Sequence, residues 1–204
     1  MNSPTLADLN DRDLVVKLQT QPDLETFDEL LKRYHKPIFY FCLRTLNDLH
    51  RAEEVTQDVM YKVYRKISRL KNPERIKTWM YRIASNTCKD LFRASWREEV
   101  VEPEKLSRLP DRRLDPGQLA ELKERSERVR EAVAALPPMQ RQAIILYHFH
   151  HLSYRDIAEI MQCPLGTIMS RICYGKRQLK SVLSEYFEPE PNSAGKGGVR
   201  YYVV

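Results

Sequence analysis

Apolar residues recur at three- and four-residue steps along most of this chain, and one-for-one alternation is scarce. That spacing predicts helices rather than strands. A first helix is expected over Leu9 to Gln19, ending before Pro22. A second covers Leu24 to Leu46, with Phe27, Leu30, Leu31, Tyr34, Ile38 and Phe41 at helical spacing; Pro37 inside it predicts a kink or a break. A third runs from His50 to Leu70, with Ala52, Val55, Val59, Val63, Ile67 and Leu70 as its apolar stripe. Asn72-Pro73 interrupts the pattern, and a fourth helix follows from Glu74 to Arg93. After a gap, helices are expected over Gln118 to Ala135 and from Met139 to about Phe149, with Pro137-Pro138 between them. The stretch SYRDIAEIMQCPLGTIMSRIC at 153–173 then reads as two short helices around a tight turn.

The fold class expected is all-α, in two small helical domains. The first covers 8–94 and the second 117–187. The connector 95–116 is acidic, carries Pro103 and Pro110 and ends at Pro116, so it reads as a flexible acidic linker. The tail at 188–204, EPEPNSAGKGGVRYYVV, reads as disordered, although its apolar end is unusual for a pure linker. Three of the six glycines lie in that tail.

Charge changes the picture. The 204 residues carry a net charge of +6, which points to an anionic partner, and its distribution says more. Residues 62–93 hold ten Lys/Arg against Glu74 and Asp90, a net of +8. Residues 167–180 hold Arg171, Lys176, Arg177 and Lys180 with no acid. Cys42, Cys88, Cys163 and Cys173 form no C-x-x-C pair and are read as reduced thiols of a cytoplasmic protein. No signal-peptide pattern opens the chain and no apolar run approaches membrane-spanning length, so no membrane insertion is expected.

On a helical wheel of 75–93, Ile76, Met80, Ile83, Ala84, Thr87 and Leu91 share a narrow inward sector. Arg75, Thr78, Arg82, Ser85, Asn86, Lys89 and Arg93 fall opposite, with Trp79 on the border. Cations neutralise phosphates, an Asn can pair with a base edge, and an aromatic offers a stacking platform for an unpaired base. The face of helix 50–70 away from its stripe carries Glu54, Gln57, Asp58, Tyr61 and Arg65. Mixed sign with an exposed aromatic suits a protein partner better than DNA.

In the second block Ser153 is a good N-cap, with Asp156 in the first turn. Pro164 opens the next helix at an N1-like position. On that helix Leu165, Ile168, Ile172, Gly175, Leu179 and Val182 are expected inside. Thr167, Ser170, Tyr174 and Arg177 are expected outside, with Arg171 to one side. That is the layout of a recognition helix. His148 and His151 at i, i+3 invite a metal reading, but no ligand set is complete, so neither metal nor cofactor is expected. No phosphate loop, H-E-x-x-H or nucleophile elbow is present, so no catalytic residue is assigned. The residues alone leave open a stand-alone helix-turn-helix repressor or activator using only 136–184.

Two blocks carry a family likeness. AEEVTQDVMYKVYRKI (52–67) and KTWMYRIASNTCKDLFR (77–93) resemble stretches of the extracytoplasmic-function sigma factors, and so does LPPMQRQAIILYHFHHLSYRDIAEIMQCPLGTIMSRICYGKRQL (136–179). The resemblance implies sigma region 2 over 8–94 and sigma region 4, with its helix-turn-helix, over 117–187. It implies core RNA polymerase, gripped at the largest-subunit clamp by Glu54, Gln57, Asp58 and Tyr61. It implies promoter DNA: a −10 element held and opened by Lys71, Asn72, Glu74, Arg75, Trp79, Arg82, Asn86 and Lys89, and a −35 element read by Thr167, Ser170, Arg171, Tyr174 and Arg177. A cognate anti-sigma factor is the further partner implied, and no catalysis. This sequence departs from the family pattern at His151, where a glycine is common, at Cys173, where a histidine is frequent, and at Tyr174, where an arginine is common.

Overall fold

The computed structural model describes residues 5–95 and 126–184. A 3-10 turn at Leu6–Asp8 leads into helices α1 (Asp11–Thr20), α2 (Leu24–Leu46) and α3 (Leu49–Lys66). Two 3-10 turns, Ile67–Arg69 and Pro73–Arg75, precede α4 (Ile76–Ser95). The second block holds α5 (126–134), α6 (Pro138–His148), α7 (Tyr154–Met161) and α8 (Leu165–Leu183). Among the described residues there is no strand. The connector and the tail, with most of the helix expected from Gln118, lie outside the described residues.

Side-chain caps set most of the starts. Asn10, Asp23, Asp48 and Ser153 each accept a hydrogen bond from the backbone N–H three residues on. Each such cap is worth about 1 kcal/mol. Asn72 accepts from the Glu74 N–H at 3.1 Å and so opens the turn before α4. The break in helical pattern at Asn72-Pro73 therefore delays α4 to Ile76, two residues later than expected. Helix α3 also stops short of Leu70, because the chain tightens into 3-10 geometry at Ile67.

Pro37 does not break α2, which runs unbroken through it. Tyr34, Ile38 and Phe41, on either side of the proline, are buried in one core. The expected stripes of α2 and α3 pack together there, with Met80 and Ala84 of α4 beneath. In the second block Ile144, Ile145, Ile157, Ile160, Ile168 and Ile172 form the core of α6, α7 and α8. Helix α8 buries Ile168, Ile172, Gly175, Leu179 and Leu183. Leu165 and Val182, expected inside, are exposed. The stripe drifts with the 3.6-residue repeat, so Leu183 takes the inner position at the C-terminal end.

The two blocks are packed against each other, and their cores form one apolar cluster. Helix α4 lies on α7, and α2 on α6. Arg141 of α6 donates to the Thr45 carbonyl at 2.8 Å near the end of α2, and to the Leu136 carbonyl at 3.1 Å. Arg44 stacks over the Phe149 ring, 4.5 Å from its centroid.

Candidate nucleic-acid interface

The −10 candidates begin on the loop between the 3-10 turns. Gln19 of α1 donates to the carbonyls of Ile67 and Leu70 at 3.0 and 2.8 Å. A fixed carbonyl pair at the loop entry leaves Lys71, Asn72 and Glu74 exposed on a stiff edge. Along α4, Trp79 and Arg82 are half-buried, with the Trp79 ring against the core as its border position predicts.

Much of the rest of the expected outward face of α4 is covered, although Arg93 stays exposed at its end. Thr78 is 5 % exposed and Ser85 fully buried, which corrects their expected outward placement. The wheel recognised one apolar sector because it assumed one core. Helix α4 is packed on both sides, by α2 and α3 on one and by α7 on the other. Ser85 donates to Gln142 Oε1 of α6 at 2.8 Å. Tyr81 is fully buried and shares a 2.7 Å hydrogen bond with His150 Nδ1. Arg75 pairs with Asp156 at 2.9 Å and with Glu159. Asn86 donates to Gln162 Oε1 at 3.4 Å, and Lys89 to the Met161 carbonyl at 3.1 Å. Sequence reasoning missed Tyr81, His150 and Gln142 as a polar seam, since an inward Tyr on an amphipathic helix reads as plain core.

The seam shapes several pKa values. Burial pushes the Tyr81 hydroxyl upward and pulls the Lys89 ammonium below its usual value. Burial, helped by Arg44, Lys77 and His151, pulls His150 down to about 3, so it is neutral at physiological pH. The Asp156 carboxyl is held low by its hydrogen bond to Ser153 and then by Arg75.

Helix α8 is left open. Ser170, Tyr174 and Arg177 are exposed, and Thr167 and Arg171 half-buried. Arg171 Nη1 lies 3.5 Å from Cys163 Sγ. The turn before α8 is closed by Gln162 in the left-handed region, φ 52°, with the Cys163 N–H donating to the Ala158 carbonyl. Pro164 sits at the N-cap itself, one position ahead of the expected N1. His151 has φ 51°, a conformation that suits glycine and is strained for a bulkier residue. Among the described residues no group of three metal-ligating side chains converges.

The α3 face presents Glu54, Gln57, Asp58 and Tyr61 to solvent, with Tyr61 62 % exposed. Asp58 pairs with Lys62 at 2.7 Å, and Lys62 also reaches Thr87 of α4 at 3.1 Å. No described helix is long and apolar enough to cross a membrane.

Comparison with known proteins matches the two blocks separately. The family described as Sigma-70 region 2 matches residues 30–98, and Sigma-70, region 4 matches residues 126–179. The chain is 32 % identical over 183 residues to the RNA polymerase sigma-H factor of Pseudomonas aeruginosa, covering 85 % of this chain and 93 % of that protein. It is 32 % identical over 185 residues to the ECF RNA polymerase sigma-E factor of Haemophilus influenzae, covering 85 % and 95 %. Among solved structures it is similar in fold to the sigma factor RpoE of Bartonella quintana, solved in complex with the anti-sigma factor NepR. That likeness has a TM-score of 0.67 and 24 % identity, over 80 % of this chain and all of that one. CnrH, solved in complex with the cytosolic domain of CnrY, has the same fold at TM-score 0.62 and 18 % identity, over 87 % and 99 %.

Proposed function

This chain belongs to the extracytoplasmic-function sigma factors, the subunits that give RNA polymerase its promoter specificity, and from that premise we propose how its surfaces divide the work. Glu54, Gln57, Asp58 and Tyr61 on α3 bind the clamp of the polymerase largest subunit. Lys71, Asn72, Glu74 and Arg75 at the loop and its 3-10 turn, with Trp79, Arg82, Asn86 and Lys89 on α4, hold the opened −10 strand. A loop edge beside an indole and cations suits an unstacked base and its phosphates. Thr167, Ser170, Arg171, Tyr174 and Arg177 on α8 read the −35 duplex from the major groove.

The observation that carries this division is that α3 and α8 expose different chemistry on separate helices. The α3 face is mixed in sign with an exposed tyrosine, while α8 is cationic and free of acid. A stand-alone repressor would use the second and give the first no role. The protein catalyses nothing itself; polymerase supplies the chemistry, in the cytoplasm. An anti-sigma factor holds it inactive, a reading supported by the complex of the fold relative RpoE with its anti-sigma factor NepR.

Run-off transcription with core polymerase, with and without the protein, on a panel of stress promoters tests the assignment. Polymerase-dependent initiation at a subset of promoters is expected. No initiation at any of them, beside tight duplex binding by the free protein, would sink it.

A further inference from the structure

Helix α1 lies ahead of residues 30–98, the span that matches Sigma-70 region 2, and carries none of the residues assigned to DNA or polymerase. It is nevertheless tied to the loop assigned to the −10 strand. Leu14, Val15 and Leu18 are buried and seat α1 in the first block, against both 3-10 turns. Gln19, half-buried at its end, donates to the Ile67 carbonyl at 3.0 Å and to the Leu70 carbonyl at 2.8 Å. Two carbonyl acceptors suit only the NH2 end of the amide, and both of its hydrogens are used. The Leu70 N–H closes the first turn on the Ile67 carbonyl at 3.1 Å. On the far side, Asn72 accepts from the Glu74 N–H, and the Arg75 N–H donates to the Asn72 carbonyl at 3.0 Å. Lys71 thus stands between a braced entry and a capped exit. Arg12 of α1 also meets Glu74, at 3.8 Å, but both side chains are exposed and such a pair contributes little.

The two ends of the loop are held differently. The exit is closed by contacts within 72–75, whereas the entry is braced by a side chain 48 and 51 positions away. A loop capped only at its exit could pivot there, and Gln19 removes that pivot. We infer that Gln19 is a positioning residue for −10 recognition: by pinning the Ile67 and Leu70 carbonyls it sets where Lys71, Asn72 and Glu74 stand relative to Trp79 and Arg82, and so which −10 sequences are preferred. The inference rests on the proposed −10 assignment and deepens it, since it puts a determinant of base preference on a helix outside the matched span. A hydrogen bond to a base edge weakens once donor and acceptor drift beyond about 3.2 Å, whereas the attraction of cations for phosphates is long-ranged. A loop that shifts therefore loses selectivity before it loses affinity.

The test uses the full chain with core polymerase in run-off transcription from two promoter libraries, one randomised across the −10 element and one across the −35 element. Gln19→Met keeps the length of the side chain and removes both donors. It should flatten the −10 preference at least about fivefold at one position, the lower end of what one specific base is worth, and leave the −35 preference unchanged. Gln19→Glu keeps the shape and offers acceptors only, so it should act the same way and serves if Gln19→Met does not fold. Ile38→Val trims the buried core of α2 in the same block and controls for lost stability; both of its profiles should match the wild type. Uniformly weaker transcription by the Gln19 variants with an unchanged −10 profile makes Gln19 a structural residue only and overturns the inference. So does equal flattening by Ile38→Val. Asn72→Ala, which alters the loop itself, separates the two readings. A −10 profile moved by Asn72→Ala but not by the Gln19 variants overturns the positioning role alone. A profile moved by none of them faults the −10 assignment and the inference with it.

Discussion

Gly175→Ala places a methyl group where α8 crosses α6. A Cβ at Gly175 would lie 2.8 Å from Ile144 Cγ1, 3.2 Å from Ile144 Cδ1 and 3.9 Å from Gln140 Cβ. Carbon atoms in good contact sit roughly 3.5–4.0 Å apart, so something must move by more than half an ångström. Ile144 is fully buried and its β-branched side chain is stiff at χ1, so it cannot swing aside. Overpacking of this kind costs about 1–3 kcal/mol. Against it stands the helix propensity of Ala over Gly, about 1 kcal/mol. The net expected loss is up to about 2 kcal/mol, read as a lower urea midpoint with an unchanged m-value. The decisive measurement repeats the substitution in an Ile144→Ala background, which removes both close contacts. There Gly175→Ala should become neutral or stabilising. An equal cost in both backgrounds would refute the steric account and leave a backbone effect in its place.

Arg171→Ala should weaken binding to a cognate −35 duplex by about 1–3 kcal/mol if the guanidinium reads a guanine bidentately, and equal weakening on scrambled DNA would reduce it to a phosphate contact. Asp58→Arg should abolish core-polymerase capture in a pull-down without altering the urea midpoint, because Asp58 is exposed and pairs only along its own helix, with Lys62; retained capture would remove α3 from the polymerase interface. His150 is depressed to about 3 in the fold, so the unfolded chain binds the proton first as pH falls below about 6.5, and stability present at pH 7 is progressively lost. Between pH 7 and pH 5 that amounts to at most about 2 kcal/mol, and the pH slope of the urea midpoint should shrink in His150→Leu.

Periodicity carried most of the helices, because an amphipathic helix with one buried face writes that face into its sequence. The stripes of α2 and α3 are buried as their spacing implied, and Ser153 caps α7 as its residue type implied. What periodicity could not carry was a helix with two buried faces. The second face is made of Thr78, Ser85 and Lys89 on α4 with Arg75 in the turn before it, residue types that normally face water. The partners of Ser85, Arg75 and Lys89, namely Gln142, Asp156, Glu159 and the Met161 carbonyl, lie 57 to 84 positions away. Nothing local in either segment marks the pairing. Of the kink or break expected at Pro37, the break does not occur, because buried residues on both sides of the proline pack into one core. The exposed faces of α3 and α8 needed no partner to be read, which is why their placement was legible.

The contact between α4 and α7 joins two parts of one chain, so its strength does not depend on how much protein a cell makes. Tethered surfaces meet at an effective concentration set by the connecting segment, on the order of millimolar for short tethers. Raising expression would multiply closed molecules and open ones in the same ratio. The proportion of separated molecules therefore does not change with the amount of protein; it rises when another molecule grips one block more tightly in the separated arrangement. The protein's abundance and its readiness are thereby set by different variables.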